Sequence, residues 1–264
     1  MNKIVVNREL IESKDIDSTI DVTLKKKESL FDISIITISV NDDSTLYLDI
    51  NTDTTKLKID FNILSNINFK LYINVMGNDS KIRYTYNIDE NSLVSIIKYN
   101  RVDNIKEMVE VNLNGIGANI DYLFKSICTS KELYDYMIKH NTKNTISNIK
   151  NNLVNVRGSS SIQISSSVDK NITDCTCNQF NRIINLTNNK CEIRPILYID
   201  TDDIDANHSA LIGDFEEDEL FYLESRGISR SNAYNLLIKG FLNSGIDDEK
   251  LKTKIEDDLN KYRR

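Results

Sequence analysis

Two histidines and four cysteines are the side chains of this 264-residue chain best suited to chemistry. His208 sits in DIDANHSALIG, where Asn207, Ser209 and Ala210 leave an imidazole accessible on a strand, and nearby Asp205 is placed to orient the ring. Cys175 and Cys177 put two sulfurs on one face of an extended segment. Cys191 precedes His208 by 17 residues, one or two strands away. Thiolate and imidazole both ligate iron, so His208, Cys191, Cys175 and Cys177 form the candidate metal or iron–sulfur set. The C-x-C spacing differs from the C-x-x-C of zinc ribbons and ferredoxins. Each of these cysteines, and Cys128, reads equally well as a small buried hydrophobe. His140 reads as a histidine bonded within a surface ladder. Asp200, Asp202, Asp203 and Asp205 read as a solvated turn without EF-hand spacing. The sequence holds no GxSxG, P-loop, GxGxxG or HExxH pattern, so nothing in it marks an enzyme.

What must position these groups is mostly strand. From about residue 21 to 212 the dominant signal has a period of two. Leu46, Leu48 and Ile50 share one face; so do Leu57, Ile59, Phe61 and Ile63, then Phe69, Leu71, Ile73 and Val75, then Ile82, Tyr84, Tyr86 and Ile88, then Val109, Val111 and Leu113. Short, evenly spaced runs separated by Asn, Asp, Ser and Gly mean a β-sandwich, barrel or solenoid. Asn and Ser at the corners, where side chains bond local backbone and tolerate left-handed conformations, tilt the reading toward a solenoid, with a sandwich close behind. Residues 1–20 read as a short segment packed on this body. Leu133, Tyr136 and Met137 suggest one helical turn, and Arg157-Gly158 reads as a turn.

Residues 213–264 switch to a period of 3.6. Asp214 opens a first helix with acidic residues in its first turn, and Gly227 fits its C′ position. Ser229 is a candidate N-cap for a second helix with an apolar stripe of Ala233, Leu236, Leu237, Gly240 and Phe241. Asp247 caps a third, carrying Leu251, Ile255 and Leu259. Three helices of this size hold too little core to stand alone, so they pack on the β body, on a partner, or on both.

The balance of 33 basic to 40 acidic residues, a net charge of −7, argues against broad nucleic-acid binding. No stretch of 18 apolar residues points to a membrane span. The first residues have no apolar core of a signal peptide, which makes the cytoplasm the expected compartment and thiols the expected state of the cysteines.

The stretch P-I-L-Y-I-D-T-D-D-I-D-A-N-H-S-A-L-I-G, followed by LFYLESRGI and A-Y-N-L-L-I-K-G-F, resembles the C-terminal half of the SufB/SufD family of iron–sulfur cluster assembly scaffolds. His140, Asn144, Thr145 and Ser147 resemble a further stretch of that family. The resemblance implies a right-handed β-helix core with a helical tail and a non-enzymatic scaffold role. It also implies pairing with a like subunit or with itself, and binding of a SufC-type ABC ATPase whose ATP-driven dimerisation rotates the pair. It assigns subunit pairing to Ile196, Tyr198, Asp205 and His208, with a transient iron–sulfur cluster at that junction. ATPase docking falls to Leu220, Phe221, Tyr222, Leu223, Arg226 and Gly227. Ser209 stands where SufB carries Glu, and Asn181 or Arg182 stands where SufB carries a cluster-linked Cys, so the details lean toward SufD. The competing reading is a β-solenoid that binds or supports without metal.

Overall fold

The structure is a computed structural model, and it describes residues 2–7, 10–14, 16–27, 33–53 and 56–262. It is a β-solenoid of about seven turns followed by three short helices. The strands are β1 Asn2–Asn7, β2 Leu10–Lys14, β3 Ile20–Lys27, β4 Ile33–Val40, β5 Ser44–Asp53, β6 Lys56–Ile63, β7 Asn68–Ile88, β8 Leu93–Leu113, β9 Asn119–Cys128, β10 Lys131–His140, β11 Ile146–Asn155, β12 Ser159–Val168, β13 Cys175–Asn185, β14 Cys191–Ile199 and β15 Ile204–Gly213. Helices α1 Glu217–Ser225, α2 Arg230–Asn243 and α3 Glu249–Asn260 follow.

Strands stack in parallel on two faces. One face runs β1, β5, β7, β8, β9, β11, β13, β15; the other runs β4, β6, β7, β8, β10, β12, β14. The long strands β7 and β8 bend and serve both. Parallel neighbours need no hairpin, because each coil brings the chain back one layer higher. Coil length sets the register: Asn87 donates to Asn62 across 25 residues, and Asn178 to Asn148 across 30. Corners take left-handed residues at Asn66, Asn91, Asn104, Asn144, Asp79 and Asp174. Asn and Asp tolerate that conformation because their short side chains bond local backbone. The even run of Asn at coil spacing then forms amide ladders such as Asn62–Asn87–Asn112, at 2.9 and 3.0 Å.

Alternation fills the bore with Leu48, Ile59, Leu71, Ile96, Tyr122, Ile149 and their neighbours, all buried. Residues 2–7, within the segment read as packing on the body, are a strand of the sheet itself, parallel to β5. The helical turn expected near Leu133 is absent: 131–140 is a strand whose inward set is Glu132, Tyr134, Tyr136, Ile138 and His140. Parallel pairing on both sides, with β8 and β12, overrides the weak local helical spacing.

The tail lies on the outer side of the face that contains β8, β9, β11 and β13. Ile97, Tyr99, Ile127, Val154 and Ile184 of those strands pack against Phe215, Ile238, Leu242, Ile246, Leu251, Ile255 and Leu259. In α2 the buried positions are Ala233, Ile238 and Leu242, while Leu236 is exposed. The seam is thus rotated from the one the spacing suggested, since Tyr234 and Phe241 must both reach Phe215 edge-on. α1 begins at Glu217 rather than Asp214, and Asp248, not Asp247, caps α3 by accepting from Leu251 N–H at 2.7 Å. Asp247 is drawn instead to Lys70 and Tyr72.

Candidate functional site

The final coil, β14 and β15, is the open end of the solenoid. Among the described residues β14 pairs only with β12 and β15 only with β13, so each presents one free edge. Their inward rows lie at the mouth of the bore. His208 is exposed there, in register with buried Gln179, which continues the inward row of Leu71, Ile96, Tyr122 and Ile149. Cys191 is partly buried and accepts from Asn155 Nδ2 at 3.3 Å. It belongs to the other arm of the coil, at its opposite corner. Asp205 does not orient His208: it occupies the opposite face of β15 and accepts from Asn207 Nδ2 at 3.0 Å. Positions an odd number apart on a strand face opposite ways. Ile196 and Tyr198 lie on the outer row of β14, with Tyr198 exposed.

Cys175 and Cys177 are brought to a different place. Both are buried, in a polar cell around His140. His140 Nδ1 lies 2.7 Å from Thr145 Oγ1, and Nε2 lies 2.9 Å from Ser147 Oγ and 3.1 Å from Cys177 Sγ. Thr145 Oγ1 donates to Thr142 O at 3.1 Å, so it accepts from Nδ1–H, and Nε2 is the acceptor for Ser147 or Cys177. His140 is therefore not on a surface ladder; it is 2% exposed and neutral. Burial pulls its pKa down to about 4 and pushes the Cys177 thiol up to about 12. In this state the thiol and the imidazole are both neutral and form a hydrogen-bonded core pair.

The sign of this linkage is testable. His140 binds a proton near 6.5 when unfolded and near 4 when folded, so its contribution is full above 6.5 and is lost as pH falls through 4. The shift corresponds to about 3 kcal/mol. Denaturant titrations between pH 7 and 4 should show a flatter pH dependence in His140→Gln than in the natural chain. Equal slopes would mean that His140 takes up its proton as readily in the fold as in the unfolded chain.

Among the described residues, no group of three or more His, Cys, Asp or Glu is arranged to hold a metal ion. The Asp200–Asp205 turn is exposed at Asp200, Asp202, Asp203 and Asp205. The four candidate ligands divide between the buried cell and two separate points of the last coil.

On the tail, Phe221 and Tyr222 are 69% and 58% exposed, with the Arg226 guanidinium over the Tyr222 ring at 5.4 Å. Leu220 is buried and Leu223 partly so. Gly227 takes φ +85°, the left-handed end of α1. Phe221, Tyr222 and Leu236 are the large apolar side chains exposed on the described helices.

Sequence reading missed the charged groups inside the bore. Lys98 and Glu107 form an ion pair with no exposure on either side chain. Glu132 accepts from Ser126 Oγ at 2.8 and 3.0 Å, and burial raises its pKa to about 8. The signal was parity: each falls on an inward position of an apolar run, where a periodicity count scores a blank.

A parallel β-solenoid with one open coil and a helical appendage defines the class. Residues 76–241 match the family described as SUF system FeS cluster assembly, SufBD core domain, and the chain belongs to that family. It is similar to SufD of Bacillus subtilis, 47% identical over 51 residues, covering 19% of this chain and 12% of that protein. It is similar to SufD of Escherichia coli, 34% identical over 67 residues, 24% of this chain and 16% of that one. A SufBD family protein of Pyrococcus horikoshii is 37% identical over 67 residues, 25% and 15% of the two chains. The aligned stretches thus span under a fifth of each relative's length. Family membership supports a role in iron–sulfur cluster assembly. No helix among the described residues is long and apolar enough to cross a membrane.

Proposed function

We propose that this chain is a scaffold subunit of a SUF-type assembly complex, without catalytic activity of its own, working in the cytoplasm. The open last coil carries the proposal: among the described residues two strand edges lack partners, and His208 stands at the mouth they frame. A like subunit, or a second copy, adds its own edge strands there. The cluster is cargo at that seam. Because the described residues assemble no complete ligand set, His208 and Cys191 contribute from one side and the partner supplies the rest. Cys175 and Cys177 stay in the core. The tail offers Phe221 and Tyr222, rimmed by Glu217, Glu219 and Arg226, to a SufC-type ABC ATPase.

The test is capture of the ABC ATPase of the same SUF system by this chain, alone and with a SufB-type partner. Phe221→Asp with Tyr222→Asp should cut capture at least tenfold while leaving the β circular-dichroism signal intact, because both side chains are exposed. Undiminished capture would remove the docking assignment. Leu220 is unsuitable for this test, since its 2% exposure makes any loss a folding effect.

A further inference from the structure

We propose that Gln179 is the positioning residue of His208: its Oε1 takes the Nδ1–H of the imidazole and turns Nε2, with a free lone pair, toward the mouth of the last coil. Gln179 and His208 are register neighbours on β13 and β15, both in the inward row. Gln179 is 1% exposed. Its Nε2 donates to Ser166 Oγ at 2.8 Å and to Ile196 O at 3.3 Å, on the opposite arm. The Ile196 carbonyl, which can only accept, fixes which end of the amide is which. Oε1 is left buried without a partner. Buried acceptors seldom stay so, and an unsatisfied one marks a place where a donor is expected. The group that follows Gln179 in its row is an imidazole, which carries one N–H in its neutral form. A histidine that holds one ring nitrogen on a carbonyl oxygen presents the other as a fixed ligand or base. Ile196 O belongs to β14, so the same amide also ties β13 to one arm of the open coil at the level of His208.

The inference deepens the proposal that His208 acts at the subunit seam, and it rests on that reading for its purpose but not for its test. The readout is the tautomer of His208 by ¹⁵N chemical shifts at pH 8.5, on the metal-free chain. With only two histidines, His140 serves as the internal reference. A free imidazole prefers the Nε2–H form. His208 should instead be mainly Nδ1–H. Gln179→Leu should return it to the free preference, and Gln179→Glu, which keeps an acceptor oxygen at the same reach, should retain Nδ1–H. A purely structural Gln179 would change the melting temperature but not this ratio. The inference is overturned if His208 is mainly Nε2–H in the natural chain, or if Gln179→Leu leaves the ratio unchanged. Should the leucine variant fail to fold, Gln179→Met lacks the acceptor at nearly the same length and decides the matter. A chain that passes this test yet never takes up a cluster with its partner refutes the scaffold reading and leaves the hydrogen bond standing.

Discussion

Replacing Lys98 by Met should destabilise the solenoid by about 3–5 kcal/mol, the cost of stranding a buried carboxylate. Lys98 and Glu107 are wholly enclosed, with Nζ over the Tyr84 ring at 4.4 Å and the Phe124 ring at 5.4 Å. Burial pulls the Lys98 pKa down, opposed by the attraction of Glu107. Methionine fills the same stem volume, so packing is nearly conserved and the loss is electrostatic. Glu107 then keeps only Asn100 Nδ2, at 3.1 Å, to hold its charge. A second substitution gives the check. Lys98→Met with Glu107→Leu removes both charges and should recover most of the loss, because the pair itself contributes little net stability. Urea midpoints of the natural chain, Lys98→Met, Glu107→Leu and the double variant close the cycle. If the single variant melts like the natural chain, the pair is hydrated and the bore is wet at that layer. Glu132 sharpens the expectation: with a pKa near 8 it is largely protonated at neutral pH, so Lys98 and Glu107 are the charges that must balance there.

The same residues explain how far the sequence could be read. The runs at 46–50, 57–63, 69–75, 82–88 and 109–113 are inward rows as their alternation implied, because a parallel coil buries one side of each strand almost without exception. Corner Asn and Asp take left-handed backbone at 25-residue spacing, Asn66 and Asn91 among them, which is why turn composition favoured coils over two facing sheets. Polarity misled where it lay inside. His140 and the NTKNTIS segment look solvated by composition, yet the coil folds Thr145 and Ser147 inward to bond both ring nitrogens. Glu132 and Lys98 broke the apolar pattern of strands that are otherwise plain. Proximity between coils was illegible for another reason. Cys177 meets His140 across 37 residues only because their coils stack, and no local spacing encodes coil length. Cys191 and His208, close in sequence, are parted for the same reason, on different arms of one coil.

Leu242→Asp should release the helical tail while the solenoid persists. Leu242 has no exposure and belongs to the buried cluster that includes Ile97, Ile127, Val154 and Ile184. A carboxylate there costs about 3–5 kcal/mol, from lost apolar burial and unpaired charge, which multiplies the undocked population by roughly a hundredfold or more. The surrounding polar contacts do not compensate. Lys125 Nζ donates to Phe241 O at 2.9 Å and Ser244 Oγ at 3.0 Å, capping the end of α2 from the sheet side, but burial lowers its pKa to about 7. Its charge is thus weakened by burial, and Nζ is already committed to those carbonyl and hydroxyl partners. Arg182 spreads over Phe215 and Phe241 at 5.7 and 5.5 Å, and Tyr99 donates to Asp258 at 3.0 Å; both need the helices to be seated first. Limited proteolysis is the measure: cleavage in the link between β15 and α1 should rise steeply in Leu242→Asp, with strand circular dichroism retained. Leu236→Asp, on the exposed side of α2, should leave the link protected. Equal protection in both variants would mean that the tail is held by its rim of polar contacts and not by its apolar seam. Under the scaffold reading the seam has a mechanical role. β15 runs into α1 within a few residues, so a tail clamped by an apolar face and a buried lysine turns with the open coil, and movement imposed on Phe221 and Tyr222 reaches the strand that carries His208.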